Sequence, residues 1–478
     1  MKLATKLLTA SLISPIIAAS ALAATIERDS GVQTGNWSDA SAWVGGQVPL
    51  AEDYARLTGG TVTIIDSGEV TVDQVSIIDS DLTISGGSLT CSGPTASKLF
   101  LWGGEINISG SSTFKASTVS VGNYNTSSSQ IVGERESVIN IFGDASLTLT
   151  NMQAGFNFGG SALDKDVSVN IYETAALSGG RFLLGSTVAD SVAKTSVSIS
   201  GGAVVSTDYV NLYKNTTLTL SGNARINASQ ALRAGDMNQD SATKNFVSLS
   251  DSAVLAASGS KSCIFDGAQV SVSDSAALTV KGLELGSDPY SNRSSGTLVL
   301  RDSAKFYSSS NVVLSGGSEI VIEGSNVQCV DGMASHINAL GSSSFSDQSG
   351  TIRFVADENG ISTLVCDYMA YVDADARTGY NIVLDFTKYA LLESDVNFDV
   401  ISTTRSDARE LSIIASYANP DSNLVEIIKA NDADSYELLL SADGKTFSVL
   451  YTHVPEPAAC AAIFGALALA LAARGRRR

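Results

Sequence analysis

The chain is short of the residues that carry most catalytic and metal chemistry. Its 478 residues include two histidines, five cysteines, seven prolines and three tryptophans. Cys91, Cys263, Cys329 and Cys366 stand far apart and Cys460 lies near the C-terminus, so no pair has close metal-ligand spacing and a disulfide-dense scaffold is excluded. Buried single thiols are the expectation, with one long-range bridge as the alternative. His336 and His453 are each isolated. No Gly-x-Ser-x-Gly, His-Glu-x-x-His, Cys-x-x-Cys or Gly-rich loop before Lys-Ser/Thr occurs. Positive charge is scarce too: 30 Lys and Arg face 49 Asp and Glu, a net charge of −19. Such a surface repels nucleic acid and anionic lipid, and both are excluded as partners.

What the chain does have is 42 glycines, many Ser, Thr and Asn residues, and abundant Val, Leu and Ile. That mixture disfavours long helices and predicts short strands joined by turns. Disorder is excluded by the apolar share, 44% of residues, and by its regular alternation.

A phrase recurs through the middle: a short alternating run, a small polar pair, then Ala. Instances are Val138-Ile-Asn-Ile-Phe-Gly-Asp-Ala145, Val167-Ser-Val-Asn-Ile-Tyr-Glu-Thr-Ala175 and Val197-Ser-Ile-Ser-Gly-Gly-Ala203. Others are Leu218-Thr-Leu-Ser-Gly-Asn-Ala224, Val247-Ser-Leu-Ser-Asp-Ser-Ala253, Val270-Ser-Val-Ser-Asp-Ser-Ala276 and Leu298-Val-Leu-Arg-Asp-Ser-Ala304. A weaker copy ends at Asn326, and the marker steps are 30, 28, 21, 29, 23, 28 and 22. A coil of that length cannot bury its apolar face alone, so the repeat predicts a solenoid. The expected fold is all-β: a parallel β-helix over 24–340, then an acidic β-rich domain over 351–452, with 341–350 as linker. A tandem of antiparallel β-sandwiches is the runner-up, and a propeller is disfavoured by the uneven spacing. The corner acids Asp251, Asp274 and Asp302 are read as turn residues that bond their own backbone, Gly supplying positive φ elsewhere. A stack of them would bind Ca²⁺ weakly at most, as would Asp373-Ala-Asp375 and Asp432-Ala-Asp434, so no cofactor is expected. Asp443-Gly444 predicts a hairpin corner.

The two ends read as addresses. Lys2 and Lys6 precede an apolar run from Leu7 to about Ala19, interrupted by Pro15. Ala21-Leu22-Ala23 then fits the small-residue rule for signal-peptide cleavage before Ala24, making 1–23 a leader. Residues 454–478 run Val-Pro-Glu-Pro, an uncharged stretch from Ala458 to Ala473, then Arg474, Arg476, Arg477 and Arg478. Pro455-Glu456-Pro457 cannot be a helix interior. The apolar stretch spans about 24 Å as a helix, slightly short of a ~30 Å hydrocarbon core, and the arginines hold its end on the cytoplasmic side. This order of parts resembles the PEP-CTERM sorting signal of Gram-negative bacteria. The resemblance implies an exosortase-type processing enzyme as partner, transient residence in the inner membrane, and association with exopolysaccharide and biofilm. An ordinary membrane anchor is the alternative, and leaves the prolines unexplained.

Gly35-Asn-Trp37, Ala42-Trp43, Gly45-Gly46, Pro49 and Asp53 resemble the opening segment of bacterial β-helix surface proteins, including autotransporter-like passengers. Trp37 and Trp43 are expected to cap the first coil, with a carbohydrate-stacking platform as the alternative. The expected function is a non-catalytic protein of the cell envelope, cell surface or extracellular matrix, structural or adhesive, with polysaccharide or surface glycan as partner. The alternatives are a β-helix polysaccharide lyase or glycoside hydrolase, marked by acids clustered with Lys or Arg in one groove, and a permanently anchored adhesin.

Overall fold

The computed structural model describes residues 24–92, 98–122, 133–156, 164–188, 191–235, 245–286, 295–314, 317–329, 336–339, 350–370, 380–389, 396–404, 425–430 and 432–452, with Ala466 and Arg474. From Ala24 to Thr452 the described chain is all-β apart from two 3-10 turns, Ala40–Ala42 and Val44–Gly46. Its strands belong to one large, mostly parallel sheet, consistent with a β-solenoid.

Three series of strands repeat in order along the chain. The first face contains Ser137–Ile141, Val167–Ile171, Thr195–Ile199 and Thr216–Leu220, each parallel to the next. The second face contains Ala176–Ser178 and the starts of Ser146–Ala154, Val204–Leu212 and Arg225–Ala234. The third uses the ends of those same long strands, together with Arg181–Leu184. Each strand pairs with its counterpart about one repeat later, and this non-local parallel pairing is what winds the chain into coils.

The alternation fixes which side chains go inside. On the first face Ile141 pairs with Ile108 and with Ile171, and the row continues through Ile199, Leu220, Leu249 and Val272. All seven are buried. Two residues earlier, Ile139, Val169, Val197 and Leu218 form a second buried row. Burying one such side chain contributes about 1.5–3 kcal/mol. A slip of one residue would turn both rows outward, so the register is strongly specified.

The marker alanine of every phrase is where the first face turns into the second. Ala145, Ala175, Ala203, Ala224, Ala253, Ala276 and Ala304 are all fully buried. Their carbonyls form a ladder. Ala145 accepts from the Ala176 N–H (2.9 Å), Ala175 from Val204 (3.0 Å), Ala203 from Arg225 (2.9 Å) and Ala253 from Ala277 (2.9 Å). Ser112 and Val327, both buried, hold the same row before and after the alanines, so the position takes a small buried side chain and Ala is the one that recurs.

The N-terminal coil is closed by its tryptophans. Trp37 and Trp43 are buried and meet edge to face, with centroids 5.0 Å apart. Trp43 Nε1 donates to the Trp37 carbonyl (2.8 Å), and the buried Arg28 guanidinium lies over the Trp43 ring at 5.7 Å. Burial holds the Arg28 pKa below its ordinary value, with Asp39 and Asp29 opposing. Buried rings leave no open indole face for a sugar, so the arrangement is that of a cap.

The parallel ladder runs on past the expected linker. Glu319–Glu323 pairs in parallel with Gly350–Val355, which pairs with Tyr380–Asp385, and that strand with Val425–Ile428. Antiparallel strand pairing enters at Val396–Thr403, which pairs in parallel with Leu364–Cys366 on one side and antiparallel with Thr446–Thr452 on the other; Ser435–Leu440 pairs antiparallel with the same last strand. The turn of that hairpin is closed by Gly444 N–H to the Ser441 carbonyl (2.8 Å), with Gly444 at φ 69°, at the predicted Asp443-Gly444 corner. Phe386, Tyr389, Phe398 and Tyr451 pack together beneath it.

Candidate functional site

Asp251, Asp274 and Asp302 occupy one position of the corner, with left-handed φ of 57°, 54° and 58°. The sequence suggests that these carboxylates bond the backbone of their own turns; the backbone partners they take belong to the neighbouring coil. Each reaches one coil back along the axis. Asp251 Oδ2 accepts from Gly222 N–H (2.8 Å), Asp274 Oδ2 from Asp251 N–H (3.0 Å) and Asp302 Oδ2 from Asp274 N–H (3.4 Å). Glu173 does the same for Gly143 N–H (2.7 Å). The corner N–H groups point along the rod, so the nearest carboxylate belongs to the neighbouring coil. These acids are backbone partners, and among the described residues no three His, Cys, Asp or Glu side chains are grouped to hold a metal ion.

Asp434 is also engaged. It is buried and accepts a hydrogen bond from Tyr451 Oη, which itself accepts from the Ala430 N–H (3.0 Å). Burial and the Asp434 bond push the Tyr451 hydroxyl well above the ordinary tyrosine range. Burial also pushes the thiols of Cys91, Cys329 and Cys366 up to about 12, and among the described residues no disulfide forms.

Acids do gather near an arginine in one place. Asp79 accepts from the N–H groups of Glu134 and Arg135, both at 2.8 Å. Asp81 Oδ1 accepts from Glu105 N–H (2.9 Å) and meets Arg135 Nη2 at 3.0 Å. Glu105 Oε1 accepts from Asn140 Nδ2 (2.7 Å). All three carboxylates thus take bonds from the fold itself, fastening the Glu134–Glu136 segment to the preceding coils.

Beside this clamp, the outer side of the first face carries a strip that the sequence reading missed. Asn140 Nδ2 donates to Asn107 Oδ1 and Asn170 Nδ2 to Asn140 Oδ1, each at 2.9 Å, an amide ladder over three coils. Two residues on, just past the ends of these strands, the half-buried rings of Phe142 and Tyr172 stack with centroids 5.1 Å apart and planes 5° from parallel. The aligned phrases already hold the signal, since Asn140-Ile-Phe142 and Asn170-Ile-Tyr172 share a phrase position.

The remaining expected site residues are placed as follows. Ala24 is described and exposed; its N–H lies 3.2 Å from Oδ1 of the buried Asp53. Ala21, Ala23, Pro455, Glu456, Pro457, Arg476, Arg477 and Arg478 lie outside the described residues, as do His453, Asp373 and Asp375. Arg474 is described only as an exposed helical residue. His336 begins the strand His336–Ala339. No helix of the described residues is long and apolar enough to cross a membrane, and the expected span over 458–473 falls almost wholly outside them. No family model, curated protein or solved structure matches the chain.

Proposed function

We propose that the chain is an exported, non-catalytic rod of the cell surface or extracellular matrix, structural or adhesive in exopolysaccharide. Its body is a parallel β-helix with a small antiparallel terminal module and a hydrophobic sorting helix behind it. The observation that carries this reading is the engagement of the corner acids: the side chains best placed to form a catalytic or metal row are spent on bonds between coils. The two ends supply the address. Leader removal before Ala24 would leave an α-ammonium against the buried Asp53 carboxylate, turning an amide hydrogen bond into an ion pair that fastens the cap. Pro455, Glu456 and Pro457 are the proposed processing motif, and Arg474, Arg476, Arg477 and Arg478 the discarded cytoplasmic end. Intact-mass measurement of the protein from cells with a matching exosortase tests this. It should begin at Ala24 and end near Pro455–Pro457; a mass that still contains Arg478 rejects processing and supports a permanently anchored adhesin.

The Asp79, Asp81, Glu105 and Arg135 group is the observation that favours a second reading, a surface lyase or hydrolase acting on polysaccharide. Release of oligosaccharide by the wild-type protein, lost in Asp81→Asn, would move the assignment to that class.

A further inference from the structure

We infer that the outer side of the first face, around Tyr172, Asn170 and Ser200, is a binding strip for a neutral polysaccharide. The inference rests on the matrix reading for the class of partner and on the geometry for the place. Phe142 and Tyr172 form an isolated two-ring stack within a column of corner residues. Backbone bonds define that column: Ser109 N–H donates to the Ile84 carbonyl, Phe142 to Ile108, Tyr172 to Ile141, Ser200 to Ile171 and Ser221 to Ile199. Serines therefore occupy the coil before the stack and the two after it. Successive coils are about 4.8 Å apart, so the ring face of Tyr172 that turns away from Phe142 looks onto a step left low by Ser200. Gly201 follows it with φ 69°, and a Cβ there would come within 2.9 Å of Glu173 N, so the low step is fixed by the corner itself.

A sugar ring stacks on an aromatic face through its C–H groups and needs amide or hydroxyl partners at its rim. Asn170 lies two residues before Tyr172 on the same outer side, and Ser198 is its paired neighbour in the next coil. The Asn107–Asn140–Asn170 ladder uses one donor of Asn170 and leaves its Oδ1 as an acceptor. The paired rows running on from here, Ser168, Ser196 and Thr217 beside Asn170, Ser198 and Thr219, carry no charge. A chain of net charge −19 offers an acidic polymer no attraction, whereas an uncharged amide and hydroxyl row beside an open ring suits a neutral one.

The test is affinity electrophoresis of purified full-length protein in gels containing mixed-linkage β-glucan, dextran or alginate. Two variants separate binding from folding. Tyr172→Ala removes the ring, and Ser200→Met lays a flexible aliphatic side chain over the open face without offering a new ring to the next coil. The expected result is retardation by a neutral glucan, weakened at least about tenfold in both variants, and none by alginate. Ser200→Met, at a half-buried corner, should keep the melting temperature. Equal retardation of wild type and variants would overturn the strip while leaving glycan association intact. Preference for alginate would overturn the charge argument. No retardation by any of the three would overturn the strip, and the mass measurement of the processed ends would still decide the sorting reading separately.

Discussion

At the scale of single residues, each acidic corner sets a backbone strain against a side-chain bond. A non-glycine residue in the left-handed region is strained, and Asp tolerates it better than most. The bond from each corner carboxylate to the previous coil offsets that strain. Asp251→Ala loses the bond to Gly222 N–H and keeps the strain, so it should destabilise by about 1–2 kcal/mol. Asp251→Gly loses the same bond but relieves the backbone and should cost less. Urea unfolding of both variants checks the order; a more stable Ala variant would contradict the account. Asp357 is the other informative acid. Burial alone would raise its carboxyl, yet bonds from Ser325 N–H and Oγ and from the N–H groups of Asn359 and Gly360 together hold it below the ordinary carboxylate range. Its folded form therefore binds a proton less readily than the unfolded chain. The stabilisation is present above the ordinary carboxylate pKa, about 4, and is lost as pH falls through the depressed value. Asp357→Asn should flatten this acid limb of a stability-against-pH curve, and an unchanged limb would remove Asp357 from the explanation.

At the scale of elements, much was legible and some was hidden for physical reasons. The phrase ending in Ala located the first-face strands because two constraints repeat there together: period-two burial and a small buried residue at the corner. The second and third faces left fainter traces. One long strand, such as Ser146–Ala154, serves both faces in turn, so no turn residues mark the bend. The tryptophan cap was legible because large rings at a coil end have an apolar cross-section to cover. The linker expected at 341–350 did not end the coils, since Glu319–Glu323 and Gly350–Val355 pair directly across it. A long polar insertion looks the same in sequence whether it separates domains or bulges from one coil of a continuous stack. The direction of the corner carboxylates was hidden for a similar reason. Spacing shows that Asp recurs, but whether it bonds its own turn or the neighbouring one depends on where the neighbouring N–H points. The amide and aromatic strip sat in plain view in the aligned phrases, and was missed because each copy alone reads as a solvated strand face.

At the scale of the whole molecule, each coil touches mainly its neighbours, so the body behaves as a row of similar units whose stability adds along the axis. The proposed grip on a glycan assumes this row. Register is therefore the central claim, and paired cysteines measure it most directly. Ser198 and Thr219 face each other across adjacent coils, and Thr219 in turn faces Ser248. Adjacent strands, about 4.8 Å apart, lie within disulfide reach, whereas strands two coils apart do not. The native thiols of Cys91, Cys329 and Cys366 are buried and pushed up to about 12, which keeps them from competing, and the half-buried Cys263 and the C-terminal Cys460 are replaced by serine in both paired variants. Ser198→Cys with Thr219→Cys should oxidise to an intramolecular disulfide seen by peptide mass mapping, while Ser198→Cys with Ser248→Cys should stay reduced under the same conditions. A bridge in the second pair and none in the first would show that these coils do not stack as described.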